Sequence, residues 1–308
     1  MKTQTQNLQF MDGSGGDDKI ALLLATDLQS GNYDFTRIFT LDSDGCWGHW
    51  DFDSVAVSVL LSCHGVRPER RYFALGRNGQ VFCTESGKDP WIETISSAGT
   101  GKHKRGVLKR IRAIGEHIYA CGGGGQVYRR DGQHSWTTLD ALPLTVKTAG
   151  RGILCDIAGF SEHDLYVAGQ SGRIFHYDGS GWQDVSPATN LYLESLRCAS
   201  NGKIYVCGQN GLLLWGDKNG WNFLIEPGEI EDIWDIQPFK ETLYVAADEQ
   251  LMALENDTLV PVDTGLHPAP NAFRFSASNG ILWSIGESDI CCFDGSTWQR
   301  IVHPDNQP

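Results

Sequence analysis

The chain has 308 residues, of which 41% are hydrophobic and 20% charged, a composition typical of a folded globular protein and not of a disordered chain. Its formal net charge of −13 disfavours a general nucleic-acid binder or anionic-membrane binder, because both need an excess of basic side chains. At this length most of the chain's surface can be buried on folding, so the core needs no disulfide or metal.

The first 53 residues are interpreted as one four-stranded unit. Residues 8–11, 19–26, 35–41 and 47–52 are the predicted strands. The opening segment lacks the apolar core of a secretory signal, and no apolar run in the chain approaches the ~20 residues that span a bilayer. We therefore expect a cytoplasmic protein without a membrane segment.

A repeat begins after this unit. An aromatic residue recurs at separations of 47, 47, 39, 39 and 39 residues, with apolar runs on both sides, a polar turn, and in most units a Trp that opens a last run. The aligned aromatics are Tyr72, Tyr119, Tyr166, Tyr205, Tyr244 and Trp283, and the Trp residues are Trp91, Trp136, Trp182, Trp221 and Trp298. Four short runs per repeat, joined by Gly, Asn and Asp turns, predict the four antiparallel strands of a propeller blade. We expect the Trp side chains to pack between neighbouring blades.

The repeat predicts an all-β fold: a single-domain, seven-bladed β-propeller of four-stranded antiparallel blades, with six blades as the alternative. The predicted blades cover residues 1–53, 54–95, 106–140, 152–187, 193–226, 230–263 and 271–302. The ring has to close, because an open stack of such sheets leaves exposed edges. The sequence does not indicate which terminus closes it.

The unit at residues 156–187 reads DIAGFSEHDLYVAGQSGRIFHYDGSGWQDVSP. It resembles a bacterial propeller repeat of the WD/YVTN/BNR-like class, and the resemblance extends over roughly residues 54–302. It implies the propeller architecture but carries no particular chemistry. The pair Trp234-Asp235 is not the signature of true WD repeats, and the contiguous Asp-Gly in YDGSGW departs from the Asp boxes of sialidases.

No catalytic or metal-binding pattern stands out. The nine cysteines lack a CxxC pair, the nine histidines lack HxxxH or HExxH spacing, and no GxSxG, phosphate-loop or EF-hand sequence occurs. A sialidase-like site would need three converging arginines, a Tyr–Glu pair and an Asp. The arginines instead concentrate in one arc, at Arg105, Arg110, Arg112, Arg129 and Arg130. We expect no catalytic residue, metal or cofactor, and keep a carbohydrate-active hydrolase as the alternative.

Charge breaks the symmetry of the repeat. Residues 201–308 carry 16 acidic and 5 basic side chains, whereas residues 101–130 carry eight basic and one acidic. In a ring these arcs lie on different sides, so the protein should have a lateral dipole that orients a charged partner.

Acidic residues concentrate in turns and links that open on one face of a propeller. The candidate partner-binding residues on that face are Glu226, Glu229, Glu231, Asp232, Trp234, Asp248, Glu249, Glu287 and Asp289. An acidic surface with an aromatic residue suits a basic protein partner. A solvated rim that only supports solubility is the alternative.

Two blade-specific insertions, residues 96–110 and 139–152, account for the longer repeat separations. Insertions on adjacent units are common sites of recognition, with a tolerated loop extension as the alternative. The secondary recognition candidates are Lys102, Lys104, Arg105, Lys147 and Arg151.

Together these features favour a non-enzymatic, monomeric, cytoplasmic propeller that binds a basic protein and neither nucleic acid nor membrane. The most specific hypothesis is an immunity protein that neutralises an antibacterial toxin. A hydrolase and an assembly scaffold are the alternatives.

Overall fold

The computed structural model describes residues 8–16, 21–27, 35–64, 69–100, 105–140, 152–228 and 230–306. They form seven four-stranded antiparallel sheets, and the innermost strand of each sheet contacts those of its two neighbours around a ring. The predicted seven-bladed all-β propeller is confirmed, and the six-bladed alternative is wrong. No helix among these residues has the length and apolar character needed to cross a membrane.

Each blade consists of four strands that follow one another in the chain. Blades one to four comprise β1 (Leu8–Gly15), β2 (Ala21–Asp27), β3 (Thr36–Leu41), β4 (Trp47–Phe52); β5 (Ala56–His64), β6 (Glu69–Gly76), β7 (Gln80–Glu85), β8 (Trp91–Thr94); β9 (Leu108–Ile114), β10 (His117–Gly122), β11 (Gln126–Gly132), β12 (Ser135–Thr138); and β13 (Leu154–Ser161), β14 (Asp164–Gly169), β15 (Ile174–Tyr177), β16 (Trp182–Asp184). Blades five to seven comprise β17 (Leu193–Cys198), β18 (Ile204–Gly208), β19 (Leu213–Asp217), β20 (Gly220–Ile225); β21 (Ile233–Phe239), β22 (Thr242–Ala247), β23 (Gln250–Glu255), β24 (Thr258–Pro261); and β25 (Arg274–Ser278), β26 (Ile281–Ile285), β27 (Ile290–Phe293), β28 (Trp298–Ile301). Single turns of 3-10 helix lie at Gly123–Gly125, Gln170–Gly172, Gln209–Gly211 and Pro304–Asn306.

The repeated aromatic lies three residues before the end of the glycine-terminated second strand. In blade two that position is Phe73, which is 1% exposed, because β6 ends at Gly76. The alignment of Tyr72 with the other aromatics is therefore wrong by one residue. The first strand is also longer than predicted, since β1 extends to Gly15.

The Trp residues that open the fourth strands of blades three, four and five connect neighbouring blades, as predicted, whereas Trp91 of blade two donates to Glu93 in its own strand. Trp136 in blade three donates its indole N–H to Glu93 of blade two at 2.9 Å. Trp182 and Trp221 donate to backbone carbonyls just beyond the fourth strand of the preceding blade. Each of these three indoles thus satisfies its polar atom on the preceding blade while its ring packs against apolar side chains.

The ring closes without exchange of strands, because each sheet holds only consecutive strands. The Phe10 amide in blade one donates to the Glu287 carbonyl in blade seven at 2.9 Å. The Asn306 side chain accepts from the Leu8 amide and donates to the Leu8 carbonyl, both at 3.0 Å. Closure therefore depends on side-by-side contacts between the first and last blades and on residues after the last strand.

Seven equivalent positions on the innermost strands surround the axis of the propeller, and we call them the central ring. Its members are Asp12, Ser58, Arg110, Asp156, Ser195, Asp235 and Arg274. Each Asp accepts a hydrogen bond from a backbone amide of the next blade, donated by Val59, Leu196 and Phe275 at 3.0, 3.3 and 2.9 Å. The free inner edge of a blade thus finds acceptors on its neighbour.

Arginines from other blades compensate the buried carboxylates. Arg112 donates two hydrogen bonds to Asp156, each of 3.1 Å. Arg197 donates to Asp156 at 2.7 Å and to both oxygens of Asp235 at 2.8 and 3.0 Å. Burial alone would raise the pKa of Asp156, but Arg112, Arg197 and Arg110 hold it well below the usual range. Both carboxylates therefore stay ionised in the interior.

Replacement of Asp156 by Asn should destabilise the protein by about 3–5 kcal/mol, because it leaves buried arginines without their counter-charge. Urea denaturation measures this loss. In the wild type, the Asp156 carboxylate contributes fully to the free energy of unfolding above pH 3.8, the ordinary pKa of this group. The contribution is lost as the pH falls towards the lower pKa of the folded state. The D156N variant should lose this part of the pH dependence.

Asp51 provides the matched control, since it pairs with Arg37 at 2.7 Å on the surface. Asp51→Asn should cost no more than about 1 kcal/mol. Equal losses in D156N and D51N would contradict a special role for the buried carboxylate.

Candidate protein-binding site

Links between blades and turns between second and third strands open on the same face, which we call the link face. Antiparallel pairing places them there: Ile233 at the start of β21 pairs with Ala247 at the end of β22. The link that ends at Asp232 and the turn that begins at Asp248 are therefore neighbours. The prediction that these loops share one face is confirmed.

The acidic candidates differ in the exposure of their side chains. Those with exposed side chains are Glu226, Glu231, Asp248, Glu249 and Glu287. Asp232 is half-buried and accepts a hydrogen bond from the Asn210 amide at 2.8 Å. Asp289 forms an ion pair with Arg300 at 2.8 Å. Glu229 lies outside the described residues.

Three of the candidates line one cavity between blades six and seven. This cavity, the blade-6/7 pocket, has a volume of about 270 Å³ and is lined by Trp234, Glu249, Asn271, Ala272, Phe273 and Glu287. The rings of Trp234 and Phe273 lie 5.4 Å apart in a tilted arrangement. Arg274 donates to the Trp234 carbonyl at 2.6 Å, with its guanidinium 4.4 Å from the Phe273 ring centre. The structure thus combines an aromatic pair with two carboxylates.

A strained turn presents one of these carboxylates. Asp248 and Glu249 have φ values of 48° and 59°, in the left-handed region that disfavours residues other than Gly, Asn and Asp. The corresponding turns of blades three to five each contain a Gly with positive φ: Gly125, Gly172 and Gly211. Blade six therefore carries acidic side chains where a glycine would be easier to accommodate.

A second cavity occupies the mouth of the central channel on the link face. It has a volume of about 290 Å³, and its charged lining residues are Lys109, Arg110, Glu194 and Arg274. Glu194 is the bulged residue just before Ser195, and a bulge re-aims its side chain. Burial raises the pKa of Glu194, although Arg274 and Lys109 oppose the shift.

The sequence analysis expected the arginines to lie in one arc, but arginines from separate blades come together in the structure. Arg110, Arg197 and Arg274 converge on the channel from blades three, five and seven, and their charges are opposed by those of Asp156 and Asp235. Linear spacing could not reveal this convergence. Among the described residues, no group of three His, Cys, Asp or Glu side chains could hold a metal ion.

The secondary recognition loops are described only in part. Arg105 forms an ion pair with Asp140 at 2.7 Å and donates its backbone amide to Ser97, so it connects the two insertions. The other candidates lie outside the described residues: Lys102, Lys104, Lys147 and Arg151.

Sequence reasoning missed Phe273, Asn271 and Glu194. Phe273 and Glu194 each precede a central-ring position, as Trp234 does. An alignment of the repeats by that position would have placed Trp234, Phe273 and Glu194 at equivalent positions on the link face.

Comparison with known proteins gives one sequence relative and several structural ones. No protein-family model matches the chain. The chain is 36% identical over 258 residues to the immune protein Tsi7 of Pseudomonas aeruginosa, covering 83% of this chain and 84% of that protein.

The structural relatives share the fold at low sequence identity. A catalytically inactive virginiamycin B lyase from Staphylococcus aureus, solved with quinupristin, is 10% identical with a TM-score of 0.69, over 93% of this chain and 94% of that one. YCF48 bound to D1 peptide is 14% identical with a TM-score of 0.63, over 97% and 93%. The propeller domain of Doa1 is 15% identical with a TM-score of 0.61, over 97% and 94%. These likenesses show the propeller fold alone.

Relief of the strained turn should stabilise the protein. Glu249→Asn should raise the free energy of unfolding by up to about 1 kcal/mol, because Asn tolerates the left-handed conformation better. Urea denaturation provides the measurement. The control, Glu255→Asn at an exposed position of β23, should be neutral or destabilising, because Asn is disfavoured in strands. A loss of stability in E249N would argue against the strained turn.

Proposed function

The chain belongs to the family of the immune protein Tsi7, and from this membership we propose that it is an immunity protein that neutralises an antibacterial toxin by binding it. The observation that carries the proposal is the 36% identity over 83% of the chain. Capture of the toxin in the cytoplasm, without any catalytic step, is the mechanism that we assign to it. We also propose that the repeat is of the WD/YVTN/BNR-like class.

The acidic part of the link face is the proposed docking surface. Glu226, Glu231 and Asp248 are exposed there, in the part of the chain that carries most of the net negative charge. A concentrated negative field attracts a basic protein, orients its approach and speeds the encounter. The partner is therefore proposed to be a toxin with a basic surface.

The propeller suits this task because its framework is built before the partner arrives. Asp156 and Asp235 are buried and hydrogen-bonded at the centre, so neighbouring blades are held in register. A docking surface on such a framework avoids much of the ordering cost of association.

Reversal of three exposed charges should slow association. We expect the variant with Glu226→Lys, Glu231→Lys and Asp248→Lys to associate at least ~10-fold more slowly at low salt, because electrostatic steering is lost. The toxin is first co-purified from the native host with tagged wild-type protein, at low and at high salt. Association is then measured by surface plasmon resonance.

The control reverses three exposed carboxylates on or near the opposite face, with the same change in net charge: Glu116→Lys, Glu241→Lys and Glu255→Lys. It should associate within about 3-fold of wild type, since the field near the docking surface is preserved. Equal slowing in both variants would assign the effect to net charge and contradict the docking surface.

The mouth of the central channel supports a second candidate, a carbohydrate-active hydrolase. It brings together Arg110 of blade three, Arg274 of blade seven, and Glu194 and Tyr192 at the start of blade five, which are the residue types that such a site uses. A half-buried Glu with a raised pKa also suits a general acid. However, burial raises the pKa of Tyr192, opposite to the shift that activates a nucleophile. Binding therefore remains the better supported function.

Hydrolysis assays with a fluorogenic sialoside and its asialo analogues distinguish the binding function from the hydrolase. The binding proposal predicts the same background rate for the wild type and for Glu194→Gln across pH 4–8. A rate that rises above background, follows a bell-shaped pH profile and falls ~100-fold or more in E194Q would establish the hydrolase instead.

A further inference from the structure

We propose that the blade-6/7 pocket receives one arginine side chain of the bound protein, with its guanidinium against Trp234 and between the carboxylates of Glu249 and Glu287. The biological partner in this proposal rests on the proposed function. The chemistry of the pocket does not, because it depends on the residues that line it.

Trp234 forms the aromatic wall of the pocket. Five other indoles, those of Trp91, Trp136, Trp182, Trp221 and Trp283, donate hydrogen bonds within the protein. The half-exposed Trp234 indole N–H finds no acceptor among the described residues. Its ring contacts Phe273 at 5.4 Å. This tryptophan is thus free to contact a ligand in a way that the blade-connecting ones are not.

Acceptors surround the aromatic wall. Glu249 and Glu287 line the same cavity, and both side chains are exposed. The Asn271 Oδ1 atom behind the wall is buried and receives no hydrogen bond from any described residue. Two exposed carboxylates and an aromatic face together match a cation that has several donors.

Arginine fits this combination better than lysine does. A guanidinium stacks on an indole through its flat face while its edge donates to carboxylates on either side, whereas an ammonium is a strongly hydrated point charge. The volume of about 270 Å³ suits one long side chain and lies below the usual range for drug-sized ligands. Arg274 already lies beside the aromatic pair, and the negative charge of Asp235 compensates its positive charge.

The pocket is specific to blades six and seven. Residues equivalent to Trp234 in blades two to five are Val57, Lys109, Cys155 and Glu194. None of these is aromatic, and the turns beside them carry Asn78, Gly124, Ser171 and Asn210 in place of an acid. Aromatic and acidic side chains therefore coincide at one place, where the repeat is broken.

The test titrates the purified protein with N-acetyl-arginine methylamide and follows the indole N–H signals by NMR. The Trp234 signal, assigned with Trp234→Phe, should shift and saturate, because its ring contacts the guanidinium. The corresponding citrulline derivative has the same shape without the charge and should shift it at least ~10-fold less. Equal responses to arginine and citrulline would overturn the proposal.

Charge variants provide the second arm of the test. Glu249→Gln with Glu287→Gln should weaken arginine binding at least ~10-fold. Glu116→Gln with Glu241→Gln removes the same charge from the opposite face and should leave binding within about 2-fold. Equal losses in the two double variants would overturn the pocket, and unchanged denaturation midpoints show that all variants are folded.

Affinity measurements with the toxin show whether the pocket proposal or the proposed function has failed. Trp234→Ala should weaken the complex ~10–100-fold, as expected for a central aromatic contact. Unchanged toxin affinity in W234A and in the glutamate double variant would overturn the pocket and leave the immunity function intact. If no toxin binds the wild type at all, the proposed function fails, and the arginine titration alone decides the pocket.

Discussion

A closed ring of sheets directs seven innermost strand edges towards one narrow axis, where their backbone amides need acceptors. Asp12, Asp156 and Asp235 meet this need for three of the seven blades by accepting amides of the next blade. A buried carboxylate is tolerated only when cations and donors compensate it, and Arg112 and Arg197 do so. Each blade therefore depends on residues from its neighbours, and the ring is stabilised as a whole.

This central network leaves the rim free to vary. Repeated glycines serve the tight turns, and repeated Trp residues such as Trp136 connect blades at the outside. Blade six is the exception, because it lacks both the glycine and the opening Trp and carries Asp248 and Glu249 in a strained turn. The backbone strain of that turn is local, whereas the central network stabilises the ring. A propeller can thus carry an unfavourable but useful loop.

Most of the fold followed from the sequence, because period and turn chemistry recur in each blade. The regular spacing predicted seven blades, and the links and second-to-third-strand turns that carry the acidic candidates open on one face, as expected. The central ring could not be predicted from spacing, since Asp12 and Arg110 belong to different repeats and pair only after the ring closes. The charged residue within the apolar runs LCDIAGF and IWDIQPF was nevertheless a visible signal. The blade-6/7 pocket needed the structure, because Phe273 and Trp234 belong to different blades.

The bulges of the innermost strands connect the buried central ring to the surface of the link face. A bulge adds one residue just before a central-ring position, so the ring residue turns to the buried network while the bulged residue turns to the mouth. Asp235 and Trp234 are such a pair, and so are Ser195 and Glu194. One backbone feature thereby separates a stabilising position from a variable one, side by side in the sequence. Substitutions at Trp234 can change what the blade-6/7 pocket binds, and substitutions at Glu194 can change what the channel mouth binds, without removing the carboxylates on which the ring depends.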